Sequence, residues 1–154
     1  MNEQTLRKQL KIILEGGKAH LKVEDTINNF PVKYINSKVP KIKYSAWDLI
    51  EHMRIAQQDI IDFIKNEDYV ELQWPDEYWP EKKLEATEKD WFESVKMFLD
   101  DLNELMEMIE NPGTDLFIPL THGDEYTILR EVLLVADHNS YHIGQLMCLK
   151  RALE

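Results

Sequence analysis

The chain has almost no thiol: Cys148 is its single cysteine in 154 residues. One cysteine excludes an internal disulfide and fits a reducing compartment. Its setting, Leu146-Met147-Cys148-Leu149, is apolar, so an inert buried thiol is expected rather than a nucleophile. Glycine and proline are also scarce, at 5 and 6, so the chain has few points at which regular structure must break. Basic residues are short: 18 Lys and Arg stand against 29 Asp and Glu, a net charge of −11. That balance argues against a nucleic-acid partner, which needs a basic face to neutralise phosphates, and against docking on anionic membranes. No apolar run is long enough to span a bilayer, and Met1-Asn2-Glu3-Gln4 shows no signal-peptide pattern. The expectation is a soluble cytoplasmic protein whose acid excess serves solubility.

What is present favours helix. Hydrophobic residues make up 44% of the chain, enough for a packed core, and the length suits one domain over residues 1–154. Lys, Leu, Glu, Ile and Met are plentiful. Leu6, Leu10, Ile13 and Leu14 recur at helical spacing from Thr5 to Leu14, and Gly16-Gly17 stops that run. A short helical piece is expected from about Val23 to Asn29, followed by a connector marked by Pro31 and Pro40. Ser45-Ala46-Trp47-Asp48 resembles a capping box, opening a helix with Leu49, Ile50, Met53, Ala56, Ile60 and Ile64 on one stripe. Residues Asn66 to Lys83 form a long connector containing Trp74, Tyr78 and Trp79, and connectors of that length inside compact domains are often functional. Glu85 to Glu110 reads as an amphipathic helix with Trp91, Val95, Phe98, Leu102, Leu105 and Ile109 inward. The last helix is expected to start between Asp124 and Thr127 and to run to about Ala152. No strand is expected, and the architecture is an all-α four-helix bundle.

The stretch Ala136-Asp137-His138-Asn139-Ser140-Tyr141-His142-Ile143-Gly144-Gln145 carries the most chemistry. His138 and His142 are four apart, so both rings leave one helix face and can share a metal ion. No Glu follows the first His, so the pattern is not that of a zincin. No charged residue stands between Asp137 and Lys150, which places this segment at the buried centre of the bundle. Its polar groups then need internal partners, and facing helices of bundles build metal sites from such groups. His52 is the candidate third ligand. At about 1.5 Å per residue it lies ~10 Å from the start of its helix, and His142 lies ~15 Å from the end of the last one, so antiparallel pairing brings them level. The same arithmetic sets His122 ~20 Å or more from His138 and leaves it a turn or capping role. His20 falls near the end of the bundle, either at the mouth of the site or as a packing residue. The competing reading of the trio is a set of buried histidines hydrogen-bonded to Asn139, Tyr141, Gln145 or the backbone. Gly144, mid-helix at a cost of about 1 kcal/mol relative to Ala, points to close helix approach within the bundle or across a dimer seam.

Trp47-x-x-x-x-His52 together with Asp137-His138-x-x-Tyr141-His142-x-Gly144-Gln145 resembles the DinB-like (YfiT-related) superfamily. Gly16-Gly17-Lys18-Ala19-His20, Leu49 to Gln57, Tyr78-Trp79-Pro80 and His122-Gly123-Asp124 are similar to its metal-dependent subgroup, and the likeness covers nearly the whole chain. One departure is Glu125-Tyr126, where relatives often carry Gly-Gln after the Asp. The resemblance implies an up-down-down-up four-helix bundle, often a homodimer. It also implies a divalent ion, commonly nickel or zinc, on His52, His138 and His142. With the third helix parallel to the second, Trp74, Tyr78 and Trp79 either form a lid or pocket wall or only tack the connector onto the bundle, and His20, Asn139, Tyr141 and Gln145 are further pocket or orienting residues. Glu51 and Asp137 each neighbour a ligand in sequence and so point ~100° away from it.

Related proteins are thiol-dependent transferases using bacillithiol, mycothiol or glutathione, or thiol-linked isomerases. The expected function is therefore metal-dependent S-transfer from a low-molecular-weight thiol to a small electrophile. A metal-dependent hydrolase and a non-catalytic metal-binding sensor or stress protein are the alternatives. No side chain is assigned as a general base.

Overall fold

Asn2 accepts a hydrogen bond from the Thr5 N–H and starts the first helix, α1 (Glu3–Glu15). The computed structural model describes residues 2–81 and 85–154. Gly16, at φ 72, ends α1 in a conformation that suits a residue without Cβ. A short α2 (Val23–Asn28) and a single turn at Val32–Tyr34 lead to α3 (Ala46–Lys65). The Ser45–Asp48 capping box opens α3 as expected.

The connector after α3 includes another turn at Asp76–Tyr78; its end at residues 82–84 lies outside the described residues. A second capping box, Thr87 with Asp90, opens α4 (Glu88–Glu110), so this helix begins later than the expected Glu85. The cap decides the boundary: Thr87 is extended, at φ −80 and ψ 165, and turns its hydroxyl onto the Asp90 N–H. The final α5 (Ile128–Leu153) starts from Thr127.

Two strands correct the expectation of none. β1 (Pro119–Leu120) pairs antiparallel with β2 (Gly123–Thr127), and β2 occupies the residues at which the last helix is expected to start. Tyr126, a residue that favours strands, packs edge-on against Phe63 of α3 and under the Arg130 guanidinium.

The relative directions of the long helices follow from their side-chain contacts. Glu51 meets Ser94, Gln57 meets the Phe98 carbonyl and Lys65 meets Glu104, so α3 and α4 run in the same sense. His52 meets His142 and His138, while Gln57 meets Asn139, so α5 runs against α3. The α4 stripe is buried at all six expected positions. On α3 the burial follows Leu49, Ile50, Met53 and Ala56, then shifts to Gln57 and Ile61, leaving Ile60 and Ile64 half-buried. On α1, Ile13 faces outward, and Arg7 is buried instead.

Two expectations about α5 are corrected. Cys148 is exposed, because Leu146 and Leu149 take the inward face and a residue between them turns away. For the same reason the uncharged run is not wholly buried: Tyr141, Gly144 and Cys148 share the outer face. An added Cβ at Gly144 would meet nothing within 4 Å among the described residues, so none of the helices described approaches closely there. Gly144→Ala is therefore expected to raise unfolding free energy by about 1 kcal/mol in denaturant titrations. A loss of stability instead would place a second copy against this face. No helix among the described residues is long and apolar enough to cross a membrane.

Candidate metal centre

Antiparallel packing of α3 on α5 brings together His52, His138 and His142, residues 86 and 90 positions apart in the chain. One ring nitrogen from each lies within 4.8 Å of the other two. His52 Nε2 and His138 Nε2 are 3.2 Å apart. The rings meet edge to face, with centroids 4.4–5.0 Å apart.

The outer nitrogens of His52 and His142 are held by other groups. His52 Nδ1 lies 2.7 Å from the backbone carbonyl of Tyr78. A carbonyl only accepts, so Nδ1 carries the proton and Nε2 turns a lone pair inward. His142 Nδ1 lies 2.7 Å from Gln145 Oε1, which sets its tautomer the same way. Burial lowers the pKa of all three rings. His138 falls furthest, to about 3, because burial is reinforced by the charge of its His142 and His52 neighbours. The cluster is thus a set of neutral imidazoles at neutral pH, the state in which histidine binds metal.

A cavity of about 590 Å³ opens over the rings. Trp79 lies flat on His52, with ring centroids 4.1 Å apart and planes 6° from parallel. Tyr78, Trp74 and Tyr141 also line the cavity, as do Tyr44, Leu134 and Gln145. Tyr141 is exposed and meets His142 edge-on at 4.9 Å.

The remaining expected residues fall elsewhere. His20 bonds Ser140 Oγ at 3.1 Å and the Leu21 carbonyl, outside the lining of this cavity. Asn139 is buried and donates to Gln57 Oε1 at 2.9 Å, bracing α5 on α3; its Oδ1 has no hydrogen-bond partner among the described residues. Glu51 binds Arg54 and Ser94. His122 bonds the Asn66 carbonyl at 3.0 Å and packs on Phe63, pinning the hairpin to the end of α3.

Asp59 is the residue that sequence reasoning missed. Its carboxylate accepts from Tyr78 Oη at 2.6 Å and from Tyr69 Oη at 2.9 Å. Burial and this carboxylate raise both phenol pKa values, that of Tyr69 to about 12, so both phenols stay protonated. Asp59 thereby ties down the connector whose Tyr78 carbonyl orients His52. The signal was available: positions 52, 56 and 59 share one face of a helix. Asp59→Ala is expected to weaken zinc binding by roughly 10–100-fold, the range typical of groups that orient a ligand. Competition with a chelating dye, beside a circular-dichroism spectrum unchanged from the parent, checks it.

The donor set fits a metal ion. Three neutral nitrogens converge, no carboxylate among the described residues joins them, and the cavity leaves room for an exogenous group. Imidazole donors of this kind suit zinc, copper, iron or nickel. The family described as DinB family matches residues 4–153. No curated protein and no solved structure matches the chain.

Proposed function

The chain belongs to the DinB family, and from that premise we propose that it is a divalent-metal-dependent enzyme acting on a small molecule within an up-down-down-up four-helix bundle. His52, His138 and His142 hold the ion, nickel or zinc. The observation that carries this reading is the inward lone pair of His52, enforced by the Tyr78 carbonyl, beside His138 Nε2 at 3.2 Å. A His138-to-His52 hydrogen bond would satisfy one inward lone pair at this distance, but His142, whose outer nitrogen is also capped, turns a second one toward the same point, and a bound ion takes both.

With three neutral ligands the bound ion keeps its full charge, which lowers the pKa of a thiol or water and polarises a carbonyl. The chain's own residues shape what reaches it. Trp79 closes one side of the cavity against His52, and Tyr44, Leu134 and Ala56 give it a largely apolar wall. That wall suits an apolar electrophile, and S-transfer from a low-molecular-weight thiol is the reaction we assign. The outward uncharged face of α5 is where a second copy would pack.

Elemental analysis of untagged protein, purified without chelators, tests the metal. About one nickel or zinc ion per chain is expected. The reaction is tested by following glutathione with 1-chloro-2,4-dinitrobenzene, and by repeating the assay with bacillithiol. Consumption of thiol and electrophile together, lost with the metal in His52→Ala, supports transfer. Turnover of ester substrates without thiol would make the protein a hydrolase. Tight metal binding with no turnover of either kind would make it a binding protein.

A further inference from the structure

Lys33, Lys38, Lys41 and Lys43 fall between Thr26 and Trp47, a stretch without one acidic residue in a chain where acids outnumber bases 29 to 18. The fold puts three of these lysines on one cleft. Lys38, Lys41 and Lys43 line a cavity of about 820 Å³ together with Tyr44, Trp47 and Trp79. This cleft adjoins the histidine cavity, since Tyr44 and Trp79 line both. Trp79 rests on His52 and also stacks beside Tyr44, with centroids 5.9 Å apart and planes at 28°.

The lysines differ in role. Lys38 pairs with Asp48, the capping acid of α3, and so belongs to the scaffold. Lys41 and Lys43 are exposed, and neither has a carboxylate within ion-pair distance among the described residues. Glu81, the other acid of the lining, is engaged by contacts of its own. Lys41 also sits at φ 71, left-handed backbone in which a lysine is strained and a glycine is not. The position favours glycine for the fold and holds a cation instead.

We infer that this cleft binds the anionic end, carboxylate or phosphate, of a small molecule whose flat or apolar stem lies along Tyr44 and Trp79. Two cations with no acid partner supply the charge, and the aromatic pair supplies the stacking surface. That the other end of the molecule reaches the three histidines rests on the metal reading above; the anion site itself does not.

Phenyl phosphate and benzoate are the probes, with phenol as the uncharged control, followed by tryptophan fluorescence on the full chain. Chelator-treated and zinc-loaded protein are titrated side by side, so that an anion reading the lysines is told from one reading the ion. In the chelator-treated protein both anions are expected to bind more tightly than phenol and to weaken with salt. Lys41→Gln with Lys43→Gln is expected to weaken them roughly fivefold, the product of two exposed ion pairs, with zinc binding unchanged. Lys41→Gly should weaken binding while raising the melting midpoint by about 2–4 °C, a pairing that a purely structural lysine would not give. Phenol binding as tightly as the anions, or anion binding unchanged in the double variant, would overturn the inference. So would capture by phosphatidylserine vesicles with no binding of the free anions. Lysine-dependent binding in a chain that never takes up zinc would leave the cleft standing and remove the metal reading; zinc uptake without anion binding would do the reverse.

Discussion

Protein carrying both His138→Ala and His142→Ala is expected to purify free of nickel and zinc, and the parent chain to carry about one ion. The variant keeps only His52, and a single imidazole cannot retain a divalent ion through purification. The fold should survive the change. Both positions lie inside α5, where alanine is the best helix former. His138 and His142 contact one another, His52 and Gln145, and none of these is among the large buried side chains of the core. Helical circular dichroism should therefore match the parent while metal content falls from about one to none. Equal metal in parent and variant would show that the ion binds elsewhere. Metal absent from both, even after incubation with zinc and nickel, would leave the histidines as core residues satisfied by hydrogen bonds.

Arg7→Ala should be strongly destabilising for the loss of a charged side chain, at about 3 kcal/mol of unfolding free energy. Arg7 is buried on α1, yet its guanidinium reaches across to the far end of α4. Nη1 donates to the carbonyls of Ile109 at 2.6 Å and Asn111 at 3.0 Å, and Nη2 donates to the Thr114 carbonyl and to Glu3. The last carbonyls of a helix have no partner within it, and here one side chain serves the end of α4 and the loop beyond. Removing it leaves several acceptors without a donor at once. Arg7→Lys should recover only part of the loss, since one ammonium cannot span the three carbonyls that the planar fork reaches. Urea unfolding of the three proteins checks the order; a loss below about 1 kcal/mol for Arg7→Ala would mean that water replaces the guanidinium freely.

The contrast between these two sites explains what was legible in the sequence. The metal candidates could be found because a helix repeats: His138 and His142 sit one turn apart, and a rise of about 1.5 Å per residue brought His52 level with them. The α4 stripe was legible for the same reason. Arg7 was not, because apart from Glu3 its partners are backbone carbonyls at the end of α4 and in the loop beyond, and a carbonyl leaves no mark in a sequence. The hairpin at Pro119–Thr127 was missed because two very short strands give too few residues for alternation to show. Cys148 was misplaced by reading an apolar run as a buried one, whereas a helix exposes some member of any such run. Asp59 lay on the right face, but its meaning depends on a loop folding back over it, and that pairing is tertiary.

The partner of His52 is a main-chain oxygen, and this has a genetic consequence. No codon change at position 78 can remove the carbonyl that holds the ring, since every residue, proline included, keeps its backbone C=O. A missense change at Tyr78 keeps the carbonyl but removes one of the two phenols that Asp59 holds, so it acts on His52 only through the placing of the connector. His142 has no such protection, since its outer nitrogen leans on the side chain of Gln145, which one nucleotide can abolish. The vulnerable event for His52 is an insertion or deletion in the connector, which would slide a different carbonyl, or none, over the ring.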